Sequence, residues 1–187
     1  MQYMQVIDTD IPDVKILAPR RHGDHRGFFS EVYSRKAFVA AGLPPMEFVQ
    51  DNHSLSAEKG VVRGLHYQLP PAAQDKLVRV VRGSILDVAV DVRRGSPTFG
   101  RHVRAVLSAE NWHQILVPAG FAHGFVTLEP NTEVLYKVTS YYSPEHERGV
   151  LWNDPALGIN WGVDPAAATL SKKDREYPTL AKAVDLF

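Results

Sequence analysis

Runs of β-branched and aromatic residues recur through this chain at short intervals, and each is closed by Gly, Pro, Asn or Asp. They fall at 28–33, 48–53, 61–67, 77–81, 85–92, 103–107, 114–117, 124–128 and 133–139. The breakers stand at Gly60, Pro70 and Pro71, Gly83, Gly95 to Pro97, Pro118 to Gly120, and Pro130 with Asn131. Short strands at a spacing of roughly 8–12 residues predict a sandwich or barrel rather than βαβ units. Alternation supports them: Ile85, Asp87, Ala89 and Asp91 share one face, and Leu86, Val88, Val90 and Val92 the other. So many edges have to be hidden, and a jelly roll hides them. The expected class is all-β, a jelly roll (a double-stranded β-helix) with short flanking helices. Ser34 can cap a helix over 35–41 that stops at Gly42, and a further helical turn is expected over 172–176.

With 187 residues and no linker, repeat or shift in composition, the chain is expected to form one domain over 1–187. Lys plus Arg and Asp plus Glu number 21 each, so neither nucleic acid nor a membrane surface is an expected partner. An anionic ligand would have to be held by a few placed cations. The absence of cysteine removes disulfides, thiolate metal sites and thiol nucleophiles together. The segment from Met1 to Asp10 lacks the basic start and apolar run of a secretory signal, and no stretch approaches the ~20 apolar residues of a membrane span. A soluble, cytoplasmic protein is expected.

Histidine is then the natural base or ligand. His66 ends a predicted strand just before the turn at Pro70, where it would project toward the mouth of a barrel; a hydrogen-bonded structural role is the alternative. The segment from Pro118 to His123 has the form Pro-x-Gly-x-x-His, which resembles the second half of the cupin metal motif. The first half needs His-x-His, and Gln68 stands where the second of those histidines would be. Glutamine is a poor substitute for imidazole at a transition metal, so no metal site and no cofactor are expected. A histidine in such a barrel can serve as a base instead. Arg26, Arg63, Lys76 and Lys173 lie beside strand ends rather than in charge runs. Arginine's planar fork suits phosphate, and lysine acts as a point charge. Phe28, Phe29, Tyr141 and Tyr142 could pack in the core or offer a face to a nucleobase.

Taken in order, several segments resemble the dTDP-4-dehydrorhamnose 3,5-epimerase family. They are 26–29, 50–53, 60–68, 76–80, 87–91, 96–100, 118–126, 136–137, 141–144 and 170–174. Tyr67 stands where Phe is common in that family. The resemblance implies a small-molecule substrate, dTDP-4-keto-6-deoxy-D-glucose, converted to dTDP-4-keto-L-rhamnose. The C4 ketone acidifies the hydrogens on C3 and C5. Removing one gives an enolate, and returning a proton on the other face inverts the carbon. By the same resemblance His66 is the base, paired with Asp174. Tyr136 is the acid on the far face, and Lys76 the cation beside the C4 oxygen; a salt bridge to Asp75 or Asp87 is the alternative for Lys76. An imidazole near pKa 6.5 and a phenol near 10 suit those tasks.

The family's ligand-lining positions correspond to Arg26, Phe29, Glu31, Gln50, Asp51, Asn52, Arg63, His123, Tyr142, Glu147 and Lys173, with Arg63 on the pyrophosphate and Tyr142 on thymine. Of the adjacent lysines 172 and 173, the second is preferred. The resemblance further implies a homodimer with exchanged N-terminal strands, in which Arg26 and Glu31 complete the partner's site. An epimerase of C3 or C5 alone, a metal-dependent cupin, a 3,4-ketoisomerase and a non-catalytic sugar-binding module are the competing readings.

Overall fold

Strand alternation governs the architecture seen in the computed structural model, which describes residues 4–187; Met1–Tyr3 of the opening segment lie outside it. The strands are β1 (Met4–Asp8), β2 (Lys15–Pro19), β3 (Arg21–Asp24), β4 (Gly27–Ser30), β5 (Gln50–Ser56), β6 (Val62–Gln68), β7 (Lys76–Arg82), β8 (Ser84–Asp91), β9 (His102–Ser108), β10 (Gln114–Val117), β11 (Phe121–Thr127), β12 (Thr132–Val138) and β13 (Glu147–Gly149). Two antiparallel sheets face each other: β1-β2-β10-β7-β12-β5 and β13-β6-β11-β8-β9. Between them lies a core of Val78, Val80, Ile85, Ala89, Leu107, Ile115, Phe121, Phe125 and Val134. This is the expected jelly roll.

The outer faces are covered too, which is why strand β8 is buried on both sides. Val88 and Val90 pack under Trp152, Trp161 and Leu180 of the C-terminal tail. On the other sheet Leu17, Leu77 and Leu116 lie under Phe38 of helix α1 (Arg35–Ala40), whose N-cap Ser34 Oγ accepts from Ala37 N. The tail carries helix α2 (Lys172–Glu176) and is pinned repeatedly: Thr169 bridges Val61, Leu151 N donates to Pro178 O at 2.8 Å, and Leu180 N to Asp154 Oδ2 at 2.8 Å.

Three differences from the sequence reading have local causes. The run at 28–33 is a strand only to Ser30. Beyond it Tyr33 turns in, edge-on to Phe38 and Phe48, and its hydroxyl donates to Met46 O. The strand pattern in the sequence does not reach β1 and β2, which only the resemblance implied as N-terminal strands; β2 pairs with β10, about a hundred residues away in sequence, and β1 with β2, so the two extend the edge of one sheet. The hairpin β3–β4 stands apart as an exposed two-stranded ribbon.

Candidate active site

Gln50 and Asn52 of β5, Lys76 of β7 and Tyr136 of β12 face inward from one sheet. His66 of β6 and His123 of β11 face them from the other. Two cavities of about 240 and 280 Å³ share His66, Lys76 and Tyr136 in their walls.

Strand β6 has to present Arg63 and His66 on one face although they are three residues apart, an odd spacing that a regular strand sends to opposite faces. A register shift against β11 restores them: His123 pairs with His66, but Phe125 pairs with Arg63. Gly64 makes the shift feasible. Its φ is +121°, and a Cβ there would meet Gly124 Cα at 2.6 Å and His123 O at 2.7 Å.

His66 Nε2 lies 2.5 Å from Asp174 Oδ1. Helix α2 delivers that carboxylate: Ser171 Oγ caps the helix by accepting from Asp174 N at 3.1 Å. Burial opposes the charge on Asp174, but the hydrogen bond and charge of His66, with Ser171 and Lys173, hold the carboxyl below its usual range. The ring of Tyr177 stands edge-on to His66 with centroids 5.6 Å apart, and it lies against Gly149, where a Cβ would come within 2.5 Å of it.

Lys76 is buried, and its Nζ makes one long hydrogen bond, 3.4 Å to His66 O. Burial lowers it to about 8, against the opposing charges of Asp87 and Glu147. It forms no ion pair with Asp75, which instead accepts from Ala119 N and Thr139 Oγ1. Burial pushes the Tyr136 phenol up, Arg63 pulling it down and Glu147 adding to the rise, so it keeps its proton at neutral pH. At the rim, Glu147 accepts from Tyr142 Oη at 2.9 Å and from Lys173 Nζ. Lys173, not Lys172, thus belongs to the cleft; Lys172 pairs with Glu176 on the exposed side of α2.

Not every expected position converges. With Gln50 and Asn52 inward, Asp51 must point outward, where it pairs with Lys137 at 2.9 Å. Taking 50–52 as one lining segment ignored that alternation. Arg26 and Phe29 sit on the exposed hairpin, Arg26 held by Asp24, and Glu31 follows it; none lines either cavity of this chain. Gln68, at the cupin ligand position, has its amide committed: Nε2 donates to Ala72 O and Tyr141 O, and Oε1 accepts from Ser143 N. It anchors the loop that carries Tyr142. Among the described residues no three His, Asp or Glu side chains are grouped as metal ligands. Two residues of the site were missed. Tyr177 gives no signal in sequence, whereas Asp87, named there only as an alternative partner of Lys76, is a charge at an inward position of an apolar strand and could have been given a place of its own in the site.

A histidine and a tyrosine on facing sheets, with a buried lysine between the same walls, sit within a cupin-like β-fold. The comparisons make this particular. Residues 8–182 match the family model described as dTDP-4-dehydrorhamnose 3,5-epimerase, and the chain belongs to that family of sugar-nucleotide isomerases. It is 56% identical over 180 residues to the dTDP-4-dehydrorhamnose 3,5-epimerase of Pseudomonas aeruginosa, covering 96% of this chain and 98% of that protein. The crystal structure of the Bacillus anthracis enzyme with TDP and PPi bound is 53% identical, covers 94% of this chain and 99% of that one, and superposes with a TM-score of 0.90. The Legionella pneumophila dTDP-6-deoxy-D-glucose-3,5-epimerase in complex with dTDP-4-keto-L-rhamnose is 46% identical, covers 96% and 94%, and also has a TM-score of 0.90.

Proposed function

We propose that this chain is a 3,5-epimerase converting dTDP-4-keto-6-deoxy-D-glucose to dTDP-4-keto-L-rhamnose by way of enolates. The observation that carries this reading is the placement of His66 and Tyr136 on facing sheets, with Lys76 in the wall of both cavities. Inversion needs a base on one face of the sugar ring and an acid on the other, with a cation at the ketone oxygen. In the neutral imidazole Asp174 holds the Nε2 proton, which leaves Nδ1 of His66 as the basic nitrogen. Nδ1 takes the proton from C3 or C5, and Asp174 then faces an imidazolium. The electron pair moves to the C4 oxygen, where the Lys76 ammonium receives the charge. A preorganised donor of this kind contributes about 3 kcal/mol. Tyr136 delivers its proton to the carbon from the far side, and exchange with solvent resets both groups.

Arg63 reaches toward the pyrophosphate, and Lys173 and Glu147 order the rim beside Tyr142, the platform for thymine. The reading includes a homodimer in which Arg26, Phe29 and Glu31 close the partner's cleft, since on their own chain they line nothing. It also includes a cytoplasmic setting, consistent with a chain that has no cysteine and, among the described residues, no helix long and apolar enough to cross a membrane.

Incubation with the 4-keto sugar nucleotide in heavy water, followed by NMR of the sugar ring, tests the reaction. Deuterium at both C3 and C5 is the expected result. Label at one carbon only would make the chain a mono-epimerase, and no label would remove the enolate mechanism.

A further inference from the structure

The inward positions of β6 and β11 hold two histidines side by side, and each closes on a carboxylate. His66 and His123 are register partners. The first meets Asp174, and the second meets Asp87, whose two oxygens lie 3.0 and 2.9 Å from His123 Nε2. Only the first pair has a task in the reaction described above. Asp87 is fully buried in β8, and His123 is its one hydrogen-bonding partner among the described residues. A carboxylate buried this way is costly unless its charge is compensated.

Among the described residues, the same walls hold a cation with no counter-ion in contact. Lys76 is buried, and the single hydrogen bond found there for its Nζ goes to a backbone carbonyl. The charged and titratable groups around it come from every neighbouring element: Arg63 and His66 from β6, Asp87 from β8, His123 from β11, Tyr136 from β12, Glu147 from β13, and Lys173 and Asp174 from α2. Among the carboxylates, Asp174 is engaged by His66, and Glu147 by Lys173 and Tyr142. Asp87, like Asp174, is met by a histidine and by no ammonium or guanidinium among the described residues, but its histidine is not the base of the proposed reaction.

We infer that Asp87 is a positioning residue whose buried charge keeps Lys76 an ammonium beside the ketone oxygen, while His123 holds the carboxylate in place by donating to it. The inference rests on the enolate reaction proposed above. Of the two charges that oppose the effect of burial on Lys76, Asp87 is the larger, ahead of Glu147. Without it the lysine would shed its proton closer to neutrality, and the enolate oxygen would face an uncharged amine. The two histidine–carboxylate pairs therefore divide the work. Asp174 supports a histidine that gains a proton during turnover, and Asp87 supports a lysine that must not lose one.

The test is the pH profile of kcat for deuterium incorporation in the wild type, Asp87→Asn and Asp87→Glu, recorded with melting curves and binding of dTDP. Loss of the charge in Asp87→Asn is expected to move the alkaline limb down by about one pH unit, a typical effect of one nearby charge. Below that limb kcat should return toward the wild-type value with KM little changed. Asp87→Glu keeps the charge and should keep the limb in place. A uniform fall in kcat at every pH, with the Asp87→Asn limb unmoved, would leave Asp87 a packing residue and overturn the inference. If Asp87→Asn does not fold, Asp87→Ser, which also removes the charge, takes its place: a limb moved down supports the inference, and an unmoved one overturns it. A wild type that incorporates no deuterium removes the proposed reaction itself, a failure distinct from an active wild type whose limb ignores Asp87.

Discussion

Burial of Lys76 places opposite demands on activity and on stability. The proposed reaction requires the ammonium, so kcat is expected to fall as pH rises through about 8, where burial brings this lysine to lose its proton. Stability runs the other way. Between about 8 and the ordinary lysine value of about 10.4 the unfolded chain binds the proton that the folded one has released, so raising the pH favours folding. Lys76→Met removes the buried charge and this pH dependence together. The variant is expected to be inactive, and more stable than the wild type near pH 7. By pH 10 that advantage should shrink by about 2–3 kcal/mol. Urea unfolding of both proteins at the two pH values measures it. The other two groups separate by product. His66→Asn should lower exchange at C3 and C5 together by about 10²–10⁴-fold. Tyr136→Phe should preserve the first proton removal and lose inversion, so NMR would find label returned without change of configuration.

At the level of single elements, β6 shows what periodicity can and cannot reveal. Its existence was legible, because Val61, Val62, Leu65 and Tyr67 read as a strand between Gly60 and Pro70. Its register shift was not: an irregularity is defined against β11, some sixty residues on, and a glycine alone does not announce one. Gly64→Ala would put a methyl group into the backbone of β11 at a backbone angle that alanine rarely adopts. It is expected to lower both the melting temperature and kcat, because regularising the strand turns Arg63 or His66 out of the cleft. Wild-type activity in this variant would show that the shift is dispensable. Helix α1 was legible down to its Ser34 cap, since capping is local, and helix α2 by its extent alone. Strands β1, β2 and β13 were not: they are short or half-exposed, β2 and β13 depend on partners distant in sequence, and β1 depends in turn on β2. The same locality explains the site. His66 was legible from its place at a strand end and Lys76 and Tyr136 through the family resemblance, whereas alternation, which would have turned Asp51 outward, was not applied to 50–52.

In the whole molecule, the hairpin β3–β4 projects Phe29 and Arg26 into solvent, where an isolated chain gains nothing from them. The proposed dimer gives them a task and an assay. Arg26→Ala retains an intact His66, and His66→Asn retains an intact Arg26. Mixing the two inactive proteins after unfolding and joint refolding should restore roughly a quarter of wild-type activity, since half the dimers are mixed and each has one complete site. No recovery would mean that each chain supplies its own site in full. Mass measurement in solution reports the dimer independently. Clues to the core are spread along the chain, but nothing in a single chain's sequence pattern encodes a neighbour.

The tail is also a clock. His66 and the carboxylate that orients it are 108 residues apart in sequence, and the intervening chain builds the rest of the sandwich before α2 can dock. At translation speeds of about 5–20 residues per second, the ribosome emits the base roughly 5–20 s before its partner. A nascent chain therefore holds a histidine, a lysine and much of the cleft before it holds a competent base. In the proposed reaction turnover starts only once α2 has been made and has docked, which makes catalysis itself a report that this segment has left the ribosome.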